Sequence, residues 1–122
     1  MLIIRKQQMQ ALRAGLVDAY VAAAMQRIER KYPAACDRLG RAGTEKLVRE
    51  GVAKAANFGI EDDPQVDRFV DLLFRTTPAF PVLPDREWVL DILEDHAIDE
   101  KAKMDLLYAE LADDPDFMRD PV

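Results

Sequence analysis

A single cysteine, Cys36, leaves no partner for an internal disulfide, and a single histidine, His96, leaves no second imidazole for a zinc site. Zinc is normally held by several His or Cys ligands at set spacings, and here one of each lies 60 residues apart. Five glycines, seven prolines and 7% aromatic residues exclude collagen-like, disulfide-scaffold and low-complexity chains. No segment approaches the ~20 apolar residues of a membrane span. The opening Met1-Leu2-Ile3-Ile4-Arg5-Lys6 has its charges after a short apolar run, the reverse of a secretory signal. One unpaired thiol suits a reducing compartment, so the expectation is a soluble cytoplasmic protein without membrane contact. There is no Walker loop and no dinucleotide fingerprint. Neither a cofactor nor a metal is expected.

What is present is charge, unevenly placed. The chain of 122 residues carries a net charge of −6. Residues 1–58 hold 11 Lys and Arg against 5 Asp and Glu, whereas residues 59–122 hold 6 against 18. The basic half invites a nucleic-acid reading through Arg27, Arg30, Lys31, Arg38 and Arg41. A pI near 4.8 and the lack of aromatics between those arginines argue against it. Two alternatives remain. The halves neutralise each other within the fold, or the acidic excess is left for a basic partner.

Apolar residues recur with a helical period almost throughout, and no run alternates with period two. A helix over about 5–31 carries one row at Met9, Leu12, Leu16, Tyr20 and Ala23, and a second at Val17, Val21, Met25, Ile28 and Tyr32. Two rows predict neighbours on two sides. Pro33 ends or kinks this helix, because the residue before proline disfavours helical geometry. A short turn over 34–39 and a break at Gly40-Arg41-Ala42-Gly43 follow, and Thr44 is the expected N-cap of a helix over 45–57. Gly59 supplies a left-handed stop. Asp62 or Asp63 with Pro64 starts a helix over 64–76, whose stripe of Val66, Phe69, Val70, Leu72, Leu73 and Phe74 makes it the most buried element. Asp67 and Asp71 sit four apart and read as part of its solvated face. Asp85 caps a helix over 86–95 with Trp88, Val89, Ile92 and Leu93 inward, and Asp99 caps one over 100–112. Residues 113–122 read as a loose tail. The expected fold is all-α, a compact single-domain bundle of about five helices over residues 1–112.

Candidate chemistry is sparse. Glu94, Asp95, His96 and Asp99 read as an acidic turn between helices. A Cys36–His96 nucleophilic pair lacks any elbow-like or glycine-rich context. No catalytic residues are assigned, and the protein is expected not to be an enzyme. The most specific segment is Pro78-Ala79-Phe80-Pro81-Val82-Leu83-Pro84, with proline at every third position, the period of polyproline II. It is either a docking edge for an aromatic groove or a stiff strap with Phe80 and Leu83 plugged into the core under Trp88. If it docks a partner, the residues involved are Phe80, Pro81, Val82, Pro84, Arg86 and Trp88.

Three stretches carry a resemblance. They are Ile4-Arg5-Lys6-Gln7-Gln8-Met9-Gln10-Ala11-Leu12, then Gly51 to Ile60 with Val66 to Phe74, then Trp88 to Leu93 with Lys103-Met104 and Leu107-Tyr108. In this order the chain resembles, over residues 3–111, small bacterial proteins encoded beside type VI secretion genes for spike (VgrG), tip (PAAR) and effector-adaptor proteins. Members carry a Gly-Pro-x-Phe junction before an acidic stretch. Here Thr77-Pro78-Ala79-Phe80 stands in its place and runs into prolines. The resemblance implies a non-enzymatic adaptor or co-chaperone that loads or tethers an effector or a spike or tip component. An immunity-type inhibitor of a secreted toxin is the alternative, and a hydrolase built on scattered carboxylates a weaker one.

Overall fold

The computed structural model describes residues 6–113, with side chains from Arg13 onward. Five helices follow in order: α1 (Lys6–Lys31), α2 (Pro33–Asn57), α3 (Asp63–Arg75), α4 (Trp88–Glu94) and α5 (Glu100–Ala112). The described residues contain no strand, and the fold is an all-α bundle in a single domain. The predicted tail, apart from Asp113, lies outside the described residues.

α1 and α2 run antiparallel, joined where Arg49 meets Asp18 at 2.8 Å and Arg41 meets Glu29 at 3.4 Å. α3 runs parallel to α1, tied first by Tyr20 to Asp67 and further along by Lys31 to Asp71. One row of α1 behaves as its period predicts, with Val21, Met25, Ile28 and Tyr32 all buried against α2 and α3. The other row does not. Leu16 is 64% exposed, Ala23 is exposed and Tyr20 is half-buried, so this row faces open space instead of a second neighbour. Met9 and Leu12 have side chains outside the described residues.

α2 replaces the two separate segments expected over 34–57. Gly40 adopts φ 74°, ψ 168° and kinks the helix, and the helical path resumes at once at Arg41. Only the loss of one residue's helical geometry separates the halves, and glycine tolerates that geometry without Cβ strain. Thr44 is therefore not an N-cap. It lies one turn inside the resumed helix, fully buried, where its Oγ1 donates back to the Gly40 carbonyl at 2.8 Å. At the other end Gly59 has φ +76°. Its N–H bonds to Ala56 O and that of Ile60 to Ala55 O, the paired bonds of a left-handed C-cap.

The turn between α2 and α3 is held by α5, the last helix. Glu100 Oε1 accepts from the N–H groups of Glu61 at 3.2 Å and Asp62 at 2.8 Å, and Lys103 Nζ donates to Phe58 O at 3.1 Å. Asp62 occupies the N-cap position of α3 without a capping bond from its own side chain. Two charged residues one turn apart on α5 thus satisfy backbone groups that local sequence leaves open. α5 starts as predicted, with Asp99 Oδ1 accepting from Ala102 N–H at 2.8 Å.

α3 is the most enclosed element, with Val66, Phe69, Val70, Leu72 and Leu73 all buried. Asp71 is buried as well, at 6% exposure, and does not belong to a solvated face, whereas the Asp67 side chain keeps 40% exposure. Both point at α1. Asp71 pairs with Arg27 and with Lys31 (2.7 Å), while Asp67 accepts from Tyr20 at 2.6 Å and lies 3.6 Å from Arg27. Arg30 donates to Gln26 O of its own helix, whereas Arg27 and Lys31 near the end of α1 meet these carboxylates and do not merely complement a helix dipole. That is how the two halves of the chain neutralise each other. Burial, then the bond to Asp67, pushes the Tyr20 phenol far above its ordinary range.

Candidate functional site

The segment singled out from the sequence is a strap. Successive turns carry it, with Phe80 N–H bonding to Thr77 O, Val82 N–H to Ala79 O and Arg86 N–H to Leu83 O. A chain that closes such bonds is not polyproline II, which has none. The prolines do not share an edge, since Pro81 is buried and Pro78 and Pro84 are exposed. Phe80 is fully buried, its ring edge-on to Phe69 at 5.2 Å, and Leu83 is buried beside it. Phe80 and Pro81 therefore belong to the interior and offer nothing to a partner. Val82 is 63% exposed, Pro84 is exposed, and Arg86 and Trp88 are half-buried. Trp88 is thus not the fully inward ring expected. Asp85, the expected N-cap of α4, has φ 63°, and Glu87 precedes the helix instead.

Lys54 on α2 fixes the strap from beneath. Its Nζ donates to the carbonyls of Pro78 and Phe80, both at 3.0 Å. Lys54→Met keeps the stem and removes both bonds, so it is expected to cost about 1–2 kcal/mol. Amide exchange should accelerate at Phe80 and Val82 before it does in α3. Equal exchange in both places would show that packing alone holds the strap.

The acidic turn after α4 is structural. Asp95 Oδ1 accepts from Ala97 N–H at 2.9 Å, Asp99 caps α5, and His96 is exposed. Cys36 is half-buried in the first turns of α2 with Sγ 3.8 Å from Ile28 O, and among the described residues no hydrogen bond joins it to His96. No group of three His, Cys, Asp or Glu side chains among the described residues is placed to hold a metal.

A broad concavity lies elsewhere, along the row of α1 that carries Leu16, Tyr20 and Ala23. A groove of about 910 Å³ opens between α1 and the α2–α3 corner. Its floor is apolar, with Val17, Ala24, Val52, Ile60 and Val66, and Leu16 and Ala23 form its exposed α1 wall. The Tyr20–Asp67 bond and Arg27 close its inner end. On the opposite lip stand Glu61 and Asp63, both exposed. Periodicity alone marked Leu16, Tyr20 and Ala23 as one face. Whether a neighbour covers that face depends on where α3 starts, which a helical repeat does not encode.

No helix among the described residues is long and apolar enough to cross a membrane. The chain matches no protein-family model, no curated protein and no solved structure.

Proposed function

We propose that this chain is a non-enzymatic adaptor or co-chaperone that binds another protein and helps load or tether a type VI secretion effector or spike component. The observation that carries the protein-binding part is the groove along α1. It combines an apolar floor with an exposed Leu16 beside it on α1. Concave apolar surfaces of this kind are how small helical domains take up partner segments. The secretion part rests on the resemblance of the stretches at residues 4–12, 51–60 with 66–74, and 88–93 with Lys103, Met104, Leu107 and Tyr108.

Co-expression with type VI effector, spike and tip components, followed by affinity capture and size-exclusion chromatography, tests the reading. Co-elution with one of them at fixed stoichiometry is the expected result. Elution of the chain alone in every combination would sink the adaptor reading.

A further inference from the structure

We infer that the groove receives one amphipathic helix of the partner protein, with its apolar face on the floor and basic residues along the edge that meets Glu61 and Asp63. The inference deepens the adaptor reading and rests on it for the existence of a partner. Charge decides the occupant. Of the cations lining the groove, Arg27 is already committed to Asp71 and Asp67. Glu61 and Asp63 have no cation within ion-pair distance among the described residues, and neither do Asp62 and Glu100 just behind them. Among the described residues, Arg13 on the far wall is the other lining cation and belongs to none of these pairs. The lip is therefore negative, and it stays so because the acidic half of the chain spends Asp67 and Asp71 inside the fold and leaves this cluster outside.

The shape fits a helix better than an extended strand. Among the described residues the walls are helical except at the turn that bears Ile60 and Glu61. There Glu100 already takes the N–H groups of Glu61 and Asp62, so little open backbone is left for a strand to pair with. Ala19, Ala23 and Ala56 keep the walls low, so a helical backbone can approach closely. Apolar side chains at three- and four-residue spacing would reach Val17, Val52 and Ile60, and a Lys or Arg on the flank would lie over the lip. Complementary charge of this kind acts mainly on partner choice and encounter rate.

The test uses the intact protein and a fluorescent amphipathic peptide of Leu and Lys, about 18 residues long, beside a counterpart of Leu and Glu. Anisotropy near physiological salt should show the Leu/Lys peptide binding at least about tenfold more tightly. Leu16→Glu with Ala23→Glu should abolish that binding, and Glu61→Lys with Asp63→Lys should reverse the preference between peptides. All four positions are exposed, so the fold is kept, and circular dichroism checks it. Binding that is unchanged by Leu16→Glu with Ala23→Glu would overturn the proposal. So would self-association in sedimentation that the same pair of substitutions removes, because it would assign the groove to a second copy. The two readings separate cleanly. A secretion component still captured by the Leu16→Glu, Ala23→Glu variant removes the groove and keeps the adaptor. Peptide discrimination with no component captured keeps the groove and removes the adaptor.

Discussion

Phe80→Ala lowers the stability of the folded chain by about 3–5 kcal/mol, whereas Val82→Asp, two residues later, changes it by no more than about 0.5 kcal/mol. The ring of Phe80 is completely buried and packs edge-on against Phe69, which in turn lies 6.3 Å from Phe58. Removing it leaves a cavity between the strap and α3 that the strap cannot close, because Lys54 pins the carbonyls on either side of Ala79. Val82 projects into solvent and makes no comparable contact. Urea unfolding of the two variants beside the parent measures both effects. Equal losses would mean that the strap is one cooperative unit and not an anchor with a free neighbour.

Asp71→Ala is expected to cost about 2–3 kcal/mol. The carboxylate is 9% exposed and receives both Arg27 and Lys31. Taking it away strands two cations at the α1–α3 contact. The loss falls short of the full penalty for a deeply buried pair because Lys31 is 44% exposed and can turn to water, and Arg27 retains Asp67 at 3.6 Å. Lys31→Met, by contrast, leaves Asp71 paired with Arg27 and should cost less than about 1 kcal/mol. Thermal unfolding of the two variants orders these effects. A larger loss for Lys31→Met than for Asp71→Ala would mean that the Lys31 ammonium, which also lies 5.6 Å from the Tyr32 ring centroid, and not the carboxylate, holds this contact together.

The two substitutions also mark how far the sequence could be read. Signals that act within one turn were legible. Gly59 needs a left-handed stop wherever it sits, Asp99 reaches a backbone N–H three residues on, and the stripe of α3 predicts its own burial. Asp71 shows the limit. It lies at the flank of that stripe, and a flank is solvated or covered according to which helices arrive beside it. α3 touches α1, α2 and α5, which leaves only the arc with Arg68 and Arg75 outward, and even there Arg68 reaches Asp105 at 2.7 Å. Thr44 illustrates a second limit, since one glycine with a positive φ admits both an interrupted helix and a kinked continuous one. The strap was legible as a crossover that anchors Phe80 and Leu83 in the core. A polyproline II conformation did not follow, because proline spacing specifies that helix only where no turn closes. Of the named docking residues Val82 and Pro84 stay exposed, while Phe80 and Pro81 are buried. The groove was legible only in part, as the apolar row Leu16, Tyr20 and Ala23. Its acidic lip depends on a corner assembled from three helices.

That corner has a kinetic consequence. Glu100 and Lys103 meet their backbone partners across about 38 to 45 residues of chain, so the corner closes only after α5 has docked, and such distant pairings form slowly. The α1–α3 bonds of Tyr20 and Lys31 span 40 to 47 residues and are equally distant, so both sets belong to the late, long-range closures of the fold. The wall of the groove that bears Glu61 and Asp63 is complete only once α5 is in place. It should also be the first to loosen when α5 detaches, although α5 contributes no residue to the groove's lining. Occupancy of the groove and the docking of the final helix are thereby linked, and a bound partner would slow the fraying of α5.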